Sequence, residues 1–405
     1  MPKKSFDLVV FGATGFTGRQ AVRALVHRAA ARPLRWAIAG RNEERLRAVI
    51  REQVPATAVQ PGIVIADADD SESLQALAAQ TAVLLNLAGP YALTGEAVVQ
   101  ACIAQGTHHL DLTGETFWVR QLIERHHRAA QRAKVKIIAC CGYEALPFDL
   151  ATLWAAQQLK QRSKEACREV KLIVSFTGKR ITSAKDAVSG GTVGSMRTLL
   201  ELDTTDSVRN PACLLPPDAA NADVVAERNA YRFIPQYDDD VRAVTAPTIP
   251  APFINPPIVL RSVALANALT NALTKEAPLF APDFRYVEST DMASLVPQFA
   301  LVPRAATLPM QWAAAASIAA PLASLSASVS GPLTFQRGAL RKLIELFAPK
   351  PGVGPSEAML AGSGYAFEVF ATSTGGKRFH GRVTAQGHPG YRSTPEMMVT
   401  AGIGL

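Results

Sequence analysis

A chain of 405 residues is long enough for two or three domains, and a content of 48% hydrophobic and 19% charged residues argues against a disordered protein. The net charge of +8 favours anionic partners: a phosphorylated cofactor, an acyl carrier, a thioester or an anionic membrane. The basic residues are scattered and no nucleic-acid motif appears, so nucleic acid is not expected. Five cysteines, an odd number without a CxxC pair, argue against a disulfide framework and against zinc, and no metal is expected.

The first residues lack the apolar core of a secretory signal and run straight into a strand, so a reducing cytoplasmic setting is expected. Up to about residue 150, short apolar runs alternate with helical stretches. The runs are Phe6 to Phe11, Leu34 to Ala39, Ile63 to Ala66, Ala82 to Leu87, His109 to Leu112 and Val135 to Cys140, and residues 18–31 read as an amphipathic helix. This pattern predicts an α/β fold with a doubly wound parallel sheet of the Rossmann type over residues 1–150.

In the middle of the chain, Val170 to Phe176 reads as a strand and Ser189-Gly190-Gly191-Thr192 as a turn opening a helix near residue 192. Residues 244–260 hold five prolines and no charge and read as extended or loop. From Ala305 to Gln336 no residue is charged over 32 positions, enough to cross a bilayer. Alanine and serine are the commonest residues of the segment, which contains Pro309, Pro321 and Pro332. Three readings stand for it: a buried or partner-facing helical hairpin, a lipid-facing surface, or a membrane span. Tyr365 to Ser373 and Arg378 to Gln386 read as a hairpin turning at Gly375-Gly376. Thr394-Pro395-Glu396 reads as an N-cap followed by proline at the first position of a last helix.

The chemistry is concentrated at the ends of the first strands. Gly12-Ala13-Thr14-Gly15-Phe16-Thr17-Gly18 lies between a strand and a helix, where glycines let backbone N–H groups approach a pyrophosphate and the helix N-terminus adds positive potential. After the second strand comes Gly40-Arg41-Asn42. An acidic residue there would accept from a ribose 2′-OH. A guanidinium instead fits a 2′-phosphate, which points to NADP(H), with Asn42 as a further donor. Asp67 after the third strand either meets the adenine or caps the next helix. Asn86, Ala88, Gly89 and Pro90 after the fourth strand, Gly114 after the fifth and Gly142 after the sixth line the same crevice.

None of the seven tyrosines is followed four residues later by lysine, which removes the short-chain dehydrogenase machinery despite the similar loop. The candidate proton donor is Tyr91, at a strand end beside the crevice; packing against the nicotinamide or ribose is the competing role for it. Glu115, Tyr143 and Asp149 are further candidates. His108 and His109 are expected to be structural.

The segments GATGFTG, AGRN, NLAGPYALTGEAVVQACIAQGTHHLDLTGE and CCGYEALPFDL resemble the saccharopine dehydrogenase-like oxidoreductases, and most of all the bacterial branch with the trans-acting enoyl reductases of polyketide and lipid biosynthesis. Ser189-Gly190-Gly191-Thr192 with Ser195-Met196, the run from Lys350 to Glu357, and Pro389-Gly390-Tyr391-Arg392 are also similar to that branch. The resemblance runs over residues 6–200 and, less densely, 340–395.

It implies a Rossmann domain completed by about residues 390–405 and an α+β substrate or dimerisation domain over 151–389 with an apolar insert at about 244–336. It also implies a C-terminal helix that returns to the first domain, and NAD(P)H-dependent reduction. No set of basic residues for a dicarboxylic amino acid can be traced, and the uncharged segments suit an enoyl, acyl or lipid-like small-molecule substrate better. A homodimer and peripheral membrane contact are further expectations. The alternatives are a saccharopine-type amino-acid dehydrogenase and a non-catalytic NADP(H) sensor or scaffold.

Overall fold

A computed structural model describes residues 4–179, 189–190, 193, 210–216, 219–248, 252–273, 277–297, 303–328 and 352–405. Six strands, β1 (Phe6–Phe11), β2 (Trp36–Gly40), β3 (Gly62–Ile65), β4 (Thr81–Asn86), β5 (His108–Asp111) and β6 (Ile137–Ile138), form one sheet in the order 3-2-1-4-5-6. All its pairings are parallel. The strand order reverses between β1 and β4, so the carboxyl ends of these strands open a crevice there.

Alternation along β1 decides which helices cover which face. Leu8 and Val10 join the core under α1 (Phe16–Ala31) and α2 (Glu43–Gln53). Val9 and Phe11 join the core under α3 (Ser71–Gln80) and α4 (Tyr91–Gln105). Helices α5 (Thr116–Ala133) and α6 (Leu146–Ser163) follow. β6 is shorter than its apolar run suggests, because only Ile137 and Ile138 pair with β5.

The second sheet is mixed, with order β12-β11-β7-β10-β9-β8. Its strands are β7 (Cys167–Gly178), β8 (Gln236–Asp238), β9 (Ala243–Ala246), β10 (Phe280–Asp291), β11 (Ser363–Ser373) and β12 (Arg378–Gln386). Only β7 and β10 pair in parallel; β11 and β12 form the expected hairpin. Between these strands the described helices are α7 (Ala222–Arg228), α8 (Asn255–Leu273), α9 (Leu308–Ser328) and α10 (Glu357–Gly362). Val170, Leu172 and Val174 of β7, Phe284 and Tyr286 of β10, and Phe367 and Val369 of β11 pack with Phe148 and Ala155 of α6 and Val259 and Leu260 of α8.

Three expectations need correction. The proline-rich stretch 244–260 is not simply extended: Ala243–Ala246 pairs in the sheet, and Pro256 and Pro257 stand in the first turn of α8, where a missing N–H costs nothing. The described part of the uncharged segment is the end of a 3₁₀ turn over Arg304–Thr307 and a helix over Leu308–Ser328, packed on β9 through Val244, Ala246 and Ala315. No helix among the described residues is long and apolar enough to cross a membrane; residues 329–336, with Pro332, lie outside the described set. Thr394 does not cap the last helix, α11 (Thr394–Ile403): a π turn over Pro389–Ser393 leads into it and Ser393 is the capping position. This helix does return to the Rossmann sheet. Met398 and Val399 lie in its core, and a Cβ at Gly402 would fall 2.8 Å from Leu85.

Candidate active site

The glycine loop is built by close backbone approach. Gly12 has φ +83°, and a Cβ there would fall 2.7 Å from the carbonyl carbon of Leu87. At Gly18 a Cβ would fall 2.3 Å from the carbonyl oxygen of Gly12. Both positions therefore require glycine. Gly15 is the extended N-cap of α1; no side chain caps this end and no acidic residue stands in its first turn. With Thr14, Phe16 and Thr17 the loop turns tightly into the uncapped N-terminus of α1, and a side chain at Gly12 or Gly18 would collide with the backbone beside it.

Phe16 is also where distant segments meet. A Cβ at Gly354 would fall 2.7 Å from its ring, and Tyr391 meets it edge-on at 5.5 Å. The Tyr391 hydroxyl accepts from the N–H of Ser189 at 2.6 Å, and the N–H of Gly190 donates to Val353 at 3.1 Å. The other residues that carry the resemblance there, Gly191, Thr192, Ser195, Met196, Lys350 and Pro351, lie outside the described residues.

At the adenosine end, Arg41 follows β2 with 74% of its side chain exposed and Nη1 4.0 Å from Asp67 Oδ2. Asn42 caps α2: its Oδ1 accepts from the N–H of Arg45 at 2.9 Å, which leaves its amide N–H₂ as the remaining donor. Asp67 Oδ1 accepts from the N–H of Asp69 at 3.2 Å, while Asp70, not Asp67, caps α3.

At the other end of the crevice, Asn86 is fully buried and its Oδ1 accepts from the N–H of Ala88 at 3.0 Å. The Gly89–Pro90 peptide is cis, and Pro90 precedes α4. Tyr91 is 6% exposed; its hydroxyl donates to the carbonyl of Asn86 at 3.2 Å and accepts from the N–H of Leu112 at 3.4 Å. Its ring stacks on Trp118 at 5.9 Å. Burial, and then the charge of Asp111, hold its phenol well above the usual range.

Buried Glu115 accepts from the N–H groups of Tyr91 at 3.2 Å and Ala92 at 2.7 Å, so it holds the start of α4. Asp111 is pushed up to about 7 by burial, and His109 down to about 3 for the same reason. The two stand 3.8 Å apart, and neither ring nitrogen of His109 has a hydrogen-bond partner among the described residues.

The loops after β5 and β6 are met by the rest of the chain. A Cβ at Gly114 would fall 2.8 Å from Ile254, and one at Gly142 would fall 2.9 Å from the methyl of Thr394. Tyr143 points into the second core, against Phe148, Tyr365 and Phe367.

One group of residues was not singled out from sequence. Tyr286 and Glu288 alternate with Phe284 on the face of β10 that α6 and α8 cover. Glu288 Oε2 accepts from Tyr286 Oη at 2.7 Å and from Asn255 Nδ2 at 2.9 Å. Nearby Asp149 accepts from Ser262 at 2.8 Å and is pushed up to about 7 by burial. The signal was an acid in phase with two inward aromatics, in a region where the motifs are silent.

Residues 8–138 match the family model described as the saccharopine dehydrogenase NADP binding domain. A trans-acting enoyl reductase of Mycobacterium tuberculosis is 29% identical over 421 residues, covering 100% of this chain and 89% of the relative. One from Mycobacterium leprae is 28% identical over 409 residues with the same coverage. Among solved structures, apo saccharopine dehydrogenase (L-Glu forming) from Saccharomyces cerevisiae aligns over 98% of this chain and 89% of its own, at 13% identity and a TM-score of 0.45. Residues 8–138 are thus similar to the NADP-binding domain of saccharopine dehydrogenases, and the chain is an NADP-dependent oxidoreductase.

Proposed function

We propose that this oxidoreductase uses NADPH to reduce an activated carbon–carbon double bond of an acyl or lipid-like substrate. The observation that carries this reading is the make-up of the substrate side of the crevice. Ile254 covers Gly114, an aromatic trio of Tyr231, Phe233 and Phe253 follows, and the polar residues there are Tyr143, Asn255 and Glu288. Among the described residues, no lysine or arginine is in this set to meet the carboxylates of an amino-acid substrate such as saccharopine. The full-length likeness to proteins named trans-acting enoyl reductases supports the same reading.

The residues present fit the cofactor, since the close backbone packing at Gly12 and Gly18 leads into an N-terminus of α1 with no side-chain cap and no acid in its first turn, and Arg41 is largely exposed. In this reading Gly12, Thr14, Gly15, Phe16, Thr17 and Gly18 hold the pyrophosphate. Arg41 and Asn42 hold the 2′-phosphate, and Asp67 borders the adenine. Asn86, Ala88, Gly89, Pro90, Gly114 and Gly142 let the nicotinamide ribose pass close. NADPH, when bound, supplies a hydride. The chain's share is to orient the double bond, exclude water and supply a proton.

Leu265, Leu269 and Leu273 of α8 and Met310 and Trp312 of α9 are exposed, and they give a lipid-bound substrate an apolar surface to approach. Cosedimentation with anionic vesicles tests that part of the reading. The central test is NADPH oxidation with enoyl thioesters of graded chain length, beside NADP⁺ reduction with saccharopine. Turnover that rises with acyl length is expected. Saccharopine oxidation with no enoyl turnover would overturn the reading.

A further inference from the structure

We propose that Glu288 is the proton donor of the reaction, and that Tyr143, Tyr231 and Asn255 form with it a polar recess that takes the carbonyl group of the acyl substrate. This rests on the enoyl-reductase reading and adds the site to it.

The recess lies where the two sheets meet. Phe253-Ile254-Asn255 are consecutive and do three things: Phe253 joins the aromatic trio, Ile254 covers Gly114 at the crevice, and Asn255 bonds Glu288. Tyr143 comes from the other side, one residue after Gly142 of the crevice. Glu288 is close enough to both phenols for its charge to act on them. Tyr143 is raised by burial, then by Glu144, Tyr365 and Glu288; Tyr231 is raised by burial, then by Cys213 and Glu288.

Besides Thr248 Oγ1, which acts on the same carboxyl, four polar atoms in this place are shielded from solvent and have no partner at hydrogen-bond distance among the described residues: Tyr143 Oη, Tyr231 Oη, Asn255 Oδ1 and Glu288 Oε1. Tyr143 is 4% exposed and Asn255 0%. An unpaired buried polar group is costly, and four in one place are explained by something that pairs with them. Two phenol donors suit an acceptor oxygen, as a thioester carbonyl has.

The state of Glu288 suits the proton step. Burial pushes it up to about 7, against the hydrogen bonds from Tyr286, Asn255 and Thr248 that pull it down. The bonds from Tyr286 and Asn255 fall on Oε2, which leaves Oε1, with the Thr248 hydroxyl nearby, as the oxygen to carry the proton in the acid form. The hydride and its electron pair form the new C–H bond at the β carbon, and the π pair of the double bond moves towards the carbonyl oxygen as an enolate held by the two phenols. The O–H bond of Glu288 then breaks and its proton goes to the α carbon, which leaves a saturated thioester, NADP⁺ and a Glu288 carboxylate that solvent reprotonates.

Two measurements test this. The first is binding of a saturated octanoyl thioester of N-acetylcysteamine to the cofactor-free protein by calorimetry. Tyr143→Phe and Tyr231→Phe should each weaken it about fivefold to tenfold, the size of one neutral hydrogen bond. Unchanged binding in both overturns the recess, whether or not the enzyme reduces enoyl groups.

The second is the pH profile of kcat/KM with the octenoyl thioester. In the wild type it should fall above about pH 7, and Glu288→Gln should lower kcat about 10²-fold or more and remove that limb. Asp149 from α6, Glu144 and Tyr143 from the loop after β6, Tyr231, and Tyr286 beside it on β10 are the other ionisable groups around Glu288. Asp149→Asn should therefore keep the limb. Wild-type turnover with Glu288→Gln unchanged overturns the donor while the enoyl-reductase reading stands. Absence of enoyl turnover in the wild type overturns that reading and the donor with it, and the binding arm then decides the recess alone. If Glu288→Gln does not fold, the limb itself decides the donor: a kcat/KM that does not fall above about pH 7 in the wild type and in Asp149→Asn overturns it.

Discussion

The Oγ1 of Thr394 accepts a hydrogen bond from the N–H of Tyr143 at 2.9 Å, across 251 positions of sequence. Its methyl occupies the space a Cβ at Gly142 would need, 2.9 Å away. The residue that reads as a helix cap thus works as a clasp between the C-terminal helix and the crevice loop.

Thr394→Val keeps the shape and removes the acceptor, so a buried N–H loses its partner at a cost of about 1–3 kcal/mol. We expect a melting temperature lower by a few degrees and a weaker grip on NADPH. An unchanged melting curve would show that the clasp carries no weight.

Arg41→Asp should reverse the preference for NADPH over NADH. Losing a charge-assisted bond to the 2′-phosphate and adding repulsion is worth about 2–3 kcal/mol, or roughly 30–100-fold in the ratio of dissociation constants. Fluorescence titration with both cofactors reads this directly. If the ratio is unchanged, Arg41 does not read the 2′-phosphate.

Tyr91 and Glu115 can be separated from the chemistry by a pair of variants. The Tyr91 hydroxyl already has two backbone partners, so Tyr91→Phe should cost about 1 kcal/mol in stability and leave kcat within about threefold. A loss of 100-fold would instead make Tyr91 the donor. Glu115→Ala leaves two N–H groups at the start of α4 unpaired and should cost about 3 kcal/mol.

The loop glycines should not behave alike. Gly18→Ala drives a Cβ into the carbonyl of Gly12 and should abolish NADPH binding with a large loss of stability; at Gly15 a Cβ would lie 3.4 Å from that oxygen, and the fold should survive. Comparing circular dichroism melts with cofactor titrations separates folding from binding. Equal stability loss at both positions would contradict the geometry.

Stability should fall as pH rises towards neutral. Asp111, Asp149 and Glu288 are each raised to about 7, so the folded state holds their protons more tightly than the unfolded chain. That contribution is full below the unfolded carboxylate values near 4 and is lost as pH climbs through about 7. His109, lowered to about 3, acts in the opposite sense and weakens the fold as pH drops from 6.5 towards 3. The cofactor-free protein should therefore melt lower at pH 8 than at pH 5.5, and Asp149→Asn should reduce the difference. A melting temperature that climbs steadily over this range would contradict the assignment.

The number of the first six strands, their doubly wound parallel arrangement and the glycine loop were legible in the sequence. They depend on local periodicity and on backbone geometry within a few residues: β1 must be apolar on both faces, and only glycine fits at positions 12 and 18. The polar recess was not legible. Tyr143 stood out only as one of several proton-donor candidates, Tyr231, Asn255 and Glu288 are each ordinary in their local context, and Pro256-Pro257 read as a breaker although they begin a helix. Their meaning comes from β7 and β10 pairing in parallel, and from Ile254 resting on Gly114 far back in the chain. Periodicity reports which face of an element is buried; which groups share that burial, and which of their hydrogen bonds stay unmade, is decided only when distant strands pack together.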